Sequence, residues 1–343
     1  MRLGVDAALI EGRLIRGDLE IAEGCVQGHG LSSPNGRGIA APGFVDLQVN
    51  GVAGVDFLRS DRDGYRRAGE ALLETGVTAY LPTFITAPED DLVAALHELP
   101  TESDGARALG AHLEGPFLSP TRLGAHPAAA RRDPDPKLLD RLLIEGPVRL
   151  VTLAPELPGA HDLIRALLGR GVTVSFGHSD ATAEEANAAF DLGVHTVTHL
   201  FNAMRPFHHR DPGIAGAALA RADVTVQIIL DGVHLAPETA AVAWHAARGR
   251  MALVTDFTTA PGGRTPEGVL AGSTVPLIEA VRNLHTLGAS LEEAILAATE
   301  IPARIIGEPT AGRLGVGLPA DVVVLTDGLE IERMLVAGKD RLS

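Results

Sequence analysis

A single cysteine, Cys25, stands in a chain of 343 residues. One thiol closes no internal disulfide and builds no thiolate metal cluster, which excludes a disulfide-stapled secreted scaffold. Positive charge is scarce as well: 29 Lys and Arg face 44 Asp and Glu, a formal net charge of −15. That balance argues against nucleic acid or an anionic membrane as a partner. It also obliges any anionic ligand to find locally positive surroundings. No apolar run is long enough to span a bilayer, and the opening "MRLGVDAALIEGRL" mixes charges into its first residues and has no signal-peptide core. No GxGxxG follows a first strand, no P-loop is present, and long repeats, low-complexity tracts and linkers are missing. The expectation is a soluble, cytoplasmic protein whose 45% apolar residues are ample for a large core.

What the chain does have is rhythm. Eight β-like runs recur: "GFVDLQV", "AYLPTFIT", "ALGAHLE", "RLVTLAPE", "VTVSFGH", "VHTVTHLF", "VTVQIILDG" and "MALVTD". Between several of them lie Ala/Leu/Glu-rich pieces with helical patterning, such as "DLVAALHEL", "AHDLIRALLGRG" and "ATAEEANAAFDLG". Short apolar strands alternating with helices indicate βα units and a parallel sheet. Eight units fit an α/β fold of the (β/α)8 TIM-like barrel type, which takes roughly 250 residues. "TVPLIEAVRNLHTLG" and "SLEEAILAATEIPARIIG" supply the last helices and close it. The ends differ. Residues 1–40 and 312–343 carry short β-like pieces with Gly turns, which predicts a small β domain built from both termini around a barrel at 41–311.

In such a barrel, reactive side chains sit at the C-terminal strand ends. Here those ends are rich in ligand-type residues: Asp46, Gln48 and Asn50, then Glu114, His178 and His199, then Asp231, His234 and Asp256. Glu114 directly follows an apolar run, where a carboxylate loses hydration unless something positive meets it. Together with His178 and His199 it gives one carboxylate and two imidazoles, the open donor set of a catalytic metal site. Asp256, from the eighth strand, could move a proton to or from water there. Each residue alone has an ordinary use: a strand-end His hydrogen-bonds in a loop, Glu114 pairs with an Arg, Asp256 caps a turn. Four of them at four strand ends of one barrel carry the inference.

The motifs "APGFVDLQVNG", "HLEGPF", "LGAH", "TLAPE", "GHSDAT", "THLFNAM", "DGVH", "VTD" and "LAGS" follow one another in the order found in N-acetylglucosamine-6-phosphate deacetylases, metal-dependent barrels of the amidohydrolase superfamily. The resemblance runs from about residue 41 to 320, and the two ends fit that family's small β-sandwich domain. It implies one divalent ion on Glu114, His178 and His199, for which zinc, iron, manganese and cobalt are candidates. It implies Asp256 as acid/base and His126 as the group polarising the acetyl carbonyl. Ala125 and His126 would touch the sugar, and Asn202 and Ala203 would hold the phosphate through amide groups. Arg210 and His234 match the remaining phosphate and sugar contacts, and Leu270, Ala271 and Gly272 a backbone stretch beside the sugar. A homodimer is implied too, with Arg210 the candidate for a contact supplied by a neighbouring chain.

Gln48 and Asn50 stand where many superfamily members carry His-x-His and bind two metals, and amides are poor ligands for zinc or iron. One ion is therefore expected. Two departures from the pattern stand out. Leu123 replaces a lysine that relatives often carry, and the segment after "VTD", residues 257–269, is short and rich in Gly and Pro. The resemblance implies hydrolysis of the acetamide of N-acetylglucosamine 6-phosphate. Rival readings are an amidohydrolase acting on another N-acyl sugar or N-acyl amino acid, and a silent sugar-phosphate binder on the same fold.

Overall fold

The eight runs fold as eight parallel strands around one axis in a computed structural model that describes residues 1–103 and 105–341. They are β1 (Phe44–Val49), β2 (Val77–Ile85), β3 (Ala111–Glu114), β4 (Val148–Leu153), β5 (Thr173–Phe176), β6 (Thr196–Val197), β7 (Thr225–Ile228) and β8 (Met251–Leu253). Each pairs in parallel with the next from β1 to β8. Strands buried on both faces need continuous apolar or internally satisfied side chains. Accordingly all six residues of β1 are buried.

The ring closes differently from the way it propagates. Between β8 and β1 there is one isolated bridge, Val49 to Phe257, with Asn50 N–H donating to the Phe257 carbonyl at 2.8 Å. The buried carboxyl of Asp46 completes the seam. Thr255 Oγ1 donates to its Oδ2 at 2.5 Å, and the backbone N–H groups of Thr255 and Gln48 donate to its Oδ1 at 3.2 Å.

Helices pack outside, many with the caps that their sequences announce. Thr182 and Glu185 form a reciprocal capping box that opens helix Ala183–Phe190, and Ser290 with Glu293 does the same for Leu291–Ala297. The stretch read as one closing helix, "SLEEAILAATEIPARIIG", is two: Leu291–Ala297 and Glu300–Ile305. Pro302 lacks an N–H and its ring would collide with the Ala298 carbonyl in a straight helix, so the chain turns at Thr299. The second helix then lies across the bottom of the barrel, where Ile301 and Ile305 join Val45, Leu47, Ala79, Leu81 and Leu150 in one apolar cluster.

Above that apolar plug the interior turns polar. Thr152 Oγ1 lies 2.7 Å from both His112 Nε2 and Thr198 Oγ1, and Ser175 Oγ lies 2.6 Å from Thr198. Burial pushes the His112 imidazole down to about 4. It is a neutral strut under the mouth.

Both chain ends meet in a six-stranded sheet, ordered Lys339–Asp340, Ile331–Val336, Val322–Leu325, Ile39–Pro42, Ala7–Ile10, Arg13–Arg16. A hairpin of Asp18–Ala22 and Cys25–Leu31 packs on it through Leu19, Ile21 and Val26, facing Ala8, Ile10, Val322 and Val324. This is a second core, and its strand Ile39–Pro42 runs across the boundary expected at residue 40. Residues 342 and 343 of the expected 312–343 segment lie outside the described residues. Among the described residues no helix is long and apolar enough to cross a membrane.

Candidate active site

Glu114 ends β3 and is buried, and four side chains converge on it. His199 Nε2 lies 2.9 Å and His178 Nε2 3.2 Å from its Oε1, Gln48 Nε2 donates to the same oxygen at 2.9 Å, and His126 Nε2 is 3.5 Å from its Oε2. Burial alone would raise the Glu114 carboxyl; the hydrogen bonds from His126, His178 and His199 outweigh it and hold the group well below its ordinary value. It is a carboxylate.

His178 and His199 follow β5 and β6 with φ of 49° and 30°, a region that non-glycine residues seldom occupy. Asp256, after β8, has φ 54°. Strain of this kind persists where the surroundings impose it, and it turns these side chains toward the axis. His178 Nδ1 donates to the Arg122 carbonyl at 2.9 Å, which leaves Nε2 as the ring nitrogen that faces Glu114. Arg122 is held in turn by Asp180, 2.7 Å from its Nε. The two Nε2 atoms are only 3.1 Å apart. Two imidazole nitrogens and one carboxylate oxygen crowd together at such range, and a divalent cation suits all three donors. Glu114, His178 and His199 also form a cluster whose ligand atoms all lie within 4.8 Å of one another.

The other expected residues surround this cluster. Asp256 Oδ1 accepts from Asn50 Nδ2 at 2.6 Å, and burial followed by the Glu114 charge pushes its carboxyl up to about 6. His126 Nδ1 accepts from Thr86, backbone and hydroxyl, at 3.2 and 2.9 Å. Its proton therefore sits on Nε2, and burial first, then His178, pushes the ring down to about 4. It is a neutral donor. His234 Nδ1 is 2.7 Å from Asp231 Oδ2, while Val233 and His234 N–H groups donate to Oδ1 at 2.9 Å. Asp231 thus fixes the ring of His234, which the resemblance places among the phosphate and sugar contacts.

A cavity of about 620 Å³ opens over these groups. Ala125, His126, Asn202, Ala203 and His234 line it, and Leu270, Ala271 and Gly272 form one wall. Asn202 N–H donates to the His199 carbonyl at 2.9 Å, and its side-chain amide reaches the same carbonyl at 3.3 Å. Arg210 alone of the expected set is not in the lining; it sits on the exposed turn bridged by His208 and Asp211. Arg264, which no motif singled out, does line the cavity.

The amidohydrolase family model matches residues 39–340. An N-acetylglucosamine-6-phosphate deacetylase of Rattus norvegicus is 39% identical, over 89% of this chain and 83% of its own. The chain belongs to the amidohydrolase family, in its N-acetylglucosamine-6-phosphate deacetylase branch. An N-acetylgalactosamine-6-phosphate deacetylase of Escherichia coli O157:H7 is 35% identical, over 88% and 87% of the two chains. The amidohydrolase also superimposes, with TM-score 0.92 and 34% identity, on a mutant N-acetyl-D-glucosamine-6-phosphate deacetylase from Mycobacterium smegmatis in complex with N-acetyl-D-glucosamine-6-phosphate; 99% of this chain and 98% of that one are covered.

Proposed function

We propose that this amidohydrolase removes the acetyl group of N-acetylglucosamine 6-phosphate, giving glucosamine 6-phosphate and acetate. The observation that carries the reading is the meeting of Glu114, His178 and His199 with the half-buried Asp256 in one cavity. A single divalent ion, zinc in this reading, would supply Lewis acidity and acidify water there. One ion is supported by Gln48 and Asn50, whose amide nitrogens donate to Glu114 and Asp256.

Asp256 takes a proton from the attacking water and gives it to the departing amine nitrogen as the C–N bond breaks. Burial raises this carboxyl above its ordinary range, which suits a group that both takes and gives a proton. His126 Nε2–H donates to the acetyl oxygen as negative charge develops on it. Ala203 and His234 meet the phosphate, while Ala125 and Leu270–Gly272 line the sugar. The working unit is a cytoplasmic homodimer, in which the exposed Arg210 serves the neighbouring mouth. The galacto epimer is the second reading, because an enzyme named for it is 35% identical.

Acetate release from N-acetylglucosamine 6-phosphate, its galacto epimer and unphosphorylated N-acetylglucosamine tests the proposal, with metal removed and restored. The expected result is a preference of at least about tenfold for the phosphorylated gluco sugar, abolished by chelation and restored by the ion. Preference for the epimer establishes the second reading. No acetate from any of the three sinks both.

A further inference from the structure

His178 is held at second hand as well as directly. Its ring donates through Nδ1 to the Arg122 carbonyl at 2.9 Å, and two residues further along the chain Asp180 Oδ1 takes the Arg122 side chain, 2.7 Å from Nε and 2.6 Å from Nη2. Residues 178 and 180 thus clasp residue 122, one by its backbone and the other by its guanidinium. His199 has no matching hold: its Nδ1 is buried without a hydrogen-bond partner on another described residue. Among the described residues, the outer support of the two imidazoles therefore falls on the Arg122 carbonyl.

The two halves of this clasp are unequally fixed. Asp180 is the firm half. Glu156, after β4, accepts from the Asp180 N–H at 2.7 Å and from Ser179 Oγ at 2.8 Å, and the Ser179 N–H donates to the Ala203 carbonyl at 3.1 Å. Arg205 Nη1 donates to the Asp180 carbonyl at 3.1 Å and lies 3.5 Å from its Oδ2. Arg205 in turn pairs with Asp211 at 2.7 Å, so four charges of alternating sign cross the loops that follow β3, β5 and β6. Arg122 is the loose half. Its N–H reaches the Ser119 carbonyl at 3.1 Å, but Thr121 and Gly124 around it are exposed, so burial does little to fix the peptide whose oxygen His178 uses. A partly exposed ion pair adds little to global stability. What this one does is place a carbonyl, and the outer partner of a ligand histidine sets the orientation of its ring.

We propose that Asp180 is a positioning residue of the metal centre: by holding Arg122 it keeps the Arg122 carbonyl on His178 and the ring's Nε2 turned toward Glu114, as ion binding requires. The inference rests on the metal site of the deacetylase reading above. It is tested on the zinc-loaded protein, with the Kd for zinc read by competition with a chromogenic chelator. The variants are Asp180→Ala, Arg122→Ala, which keeps the carbonyl and removes the arm, and the two combined. Each single variant should hold zinc roughly ten- to a hundredfold more weakly than the parent. The double variant should be no weaker than the weaker single one, because both act through one contact. Arg122→Lys, which keeps an ion pair with Asp180, should recover part of the loss. The chelated variants should melt within a few degrees of the chelated parent. Single variants that hold zinc as the parent does overturn the inference and leave the deacetylase reading standing. A loss in Asp180→Ala that Arg122→Ala does not share also overturns it, and an equal loss in Arg205→Ala then assigns Asp180 to the turn that carries Asp211. Losses that add in the double variant show two separate routes and overturn it too. So does a large drop in the chelated Tm with no recovery of zinc affinity in Arg122→Lys, which makes the pair a structural brace. A parent with no measurable zinc affinity sinks the inference and the metal site of the deacetylase reading together.

Discussion

Asp256 meets two opposing demands. It must be ionised to accept a proton from water and acidic enough, once protonated, to release it to an amine. Burial and the nearby Glu114 charge move it to about 6, and Asn50 Nδ2 holds one oxygen at 2.6 Å so that the other is free to work. Asp256→Asn preserves that contact and the shape of the cavity while removing the proton transfer. Its kcat should fall by the ~10²–10⁴-fold typical of a general acid–base, with substrate still bound when affinity is measured directly. A variant with near-normal kcat would make Asp256 a structural residue. Beside it, His126 shows how a neighbour selects chemistry: Thr86 occupies Nδ1, and the neutral ring is left with one proton aimed inward.

Among the elements, the seam between β1 and β8 has the most distinctive physics. A ladder closes the other joints of the barrel, whereas here a buried carboxyl bridges the two strands, and burial pushes Asp46 up to about 7. The unfolded chain ionises this group near ~4. The folded state thus binds a proton that the unfolded state has lost, and stability falls as pH rises from about 4 to about 7, by at most ~1.4 kcal/mol per pH unit. Asp46→Asn, which can still accept from the two backbone N–H groups and donate to Thr255, removes the titrating group. The Tm difference between the variant and the parent should therefore grow in the variant's favour from pH 5 to pH 8. A difference that stays constant across that range would show that Asp46 ionises freely in the folded protein.

At the scale of the whole molecule, Glu114, His178 and His199 come from β3, β5 and β6, so an ion held by all three ties separate βα units together. A ligand that binds only the folded state stabilises it by about 4 kcal/mol at a thousandfold excess over Kd. Removing the ion should lower Tm by several degrees and adding it back should restore them. Glu114→Gln should lose most of that response while keeping the fold, since an amide fits the same space. If the chelated and loaded parent proteins melt together, these three residues do not hold an ion.

The sequence by itself determined the barrel, the small two-ended sheet and the kinds of residue at the strand ends. Those follow from local patterning: apolar runs that suit strands buried on both faces, capping pairs such as Thr182 with Glu185, and ligand-type residues directly after a run. Tertiary structure decided what each of those residues faces. Only packing brings the Arg122 carbonyl to His178, Thr86 to His126 and Thr255 to Asp46, pairs separated by 56, 40 and 209 positions that no periodicity connects. The break at Thr299 was written in Pro302, yet the use of the following helix as the floor of the barrel depends on the apolar surface it covers. Arg210 and Arg264 are both arginines in polar loops near the mouth. Which one enters the cavity of its own chain is set by the docking of the 264–270 hairpin against Gly272, a contact between backbones that side-chain identity does not record.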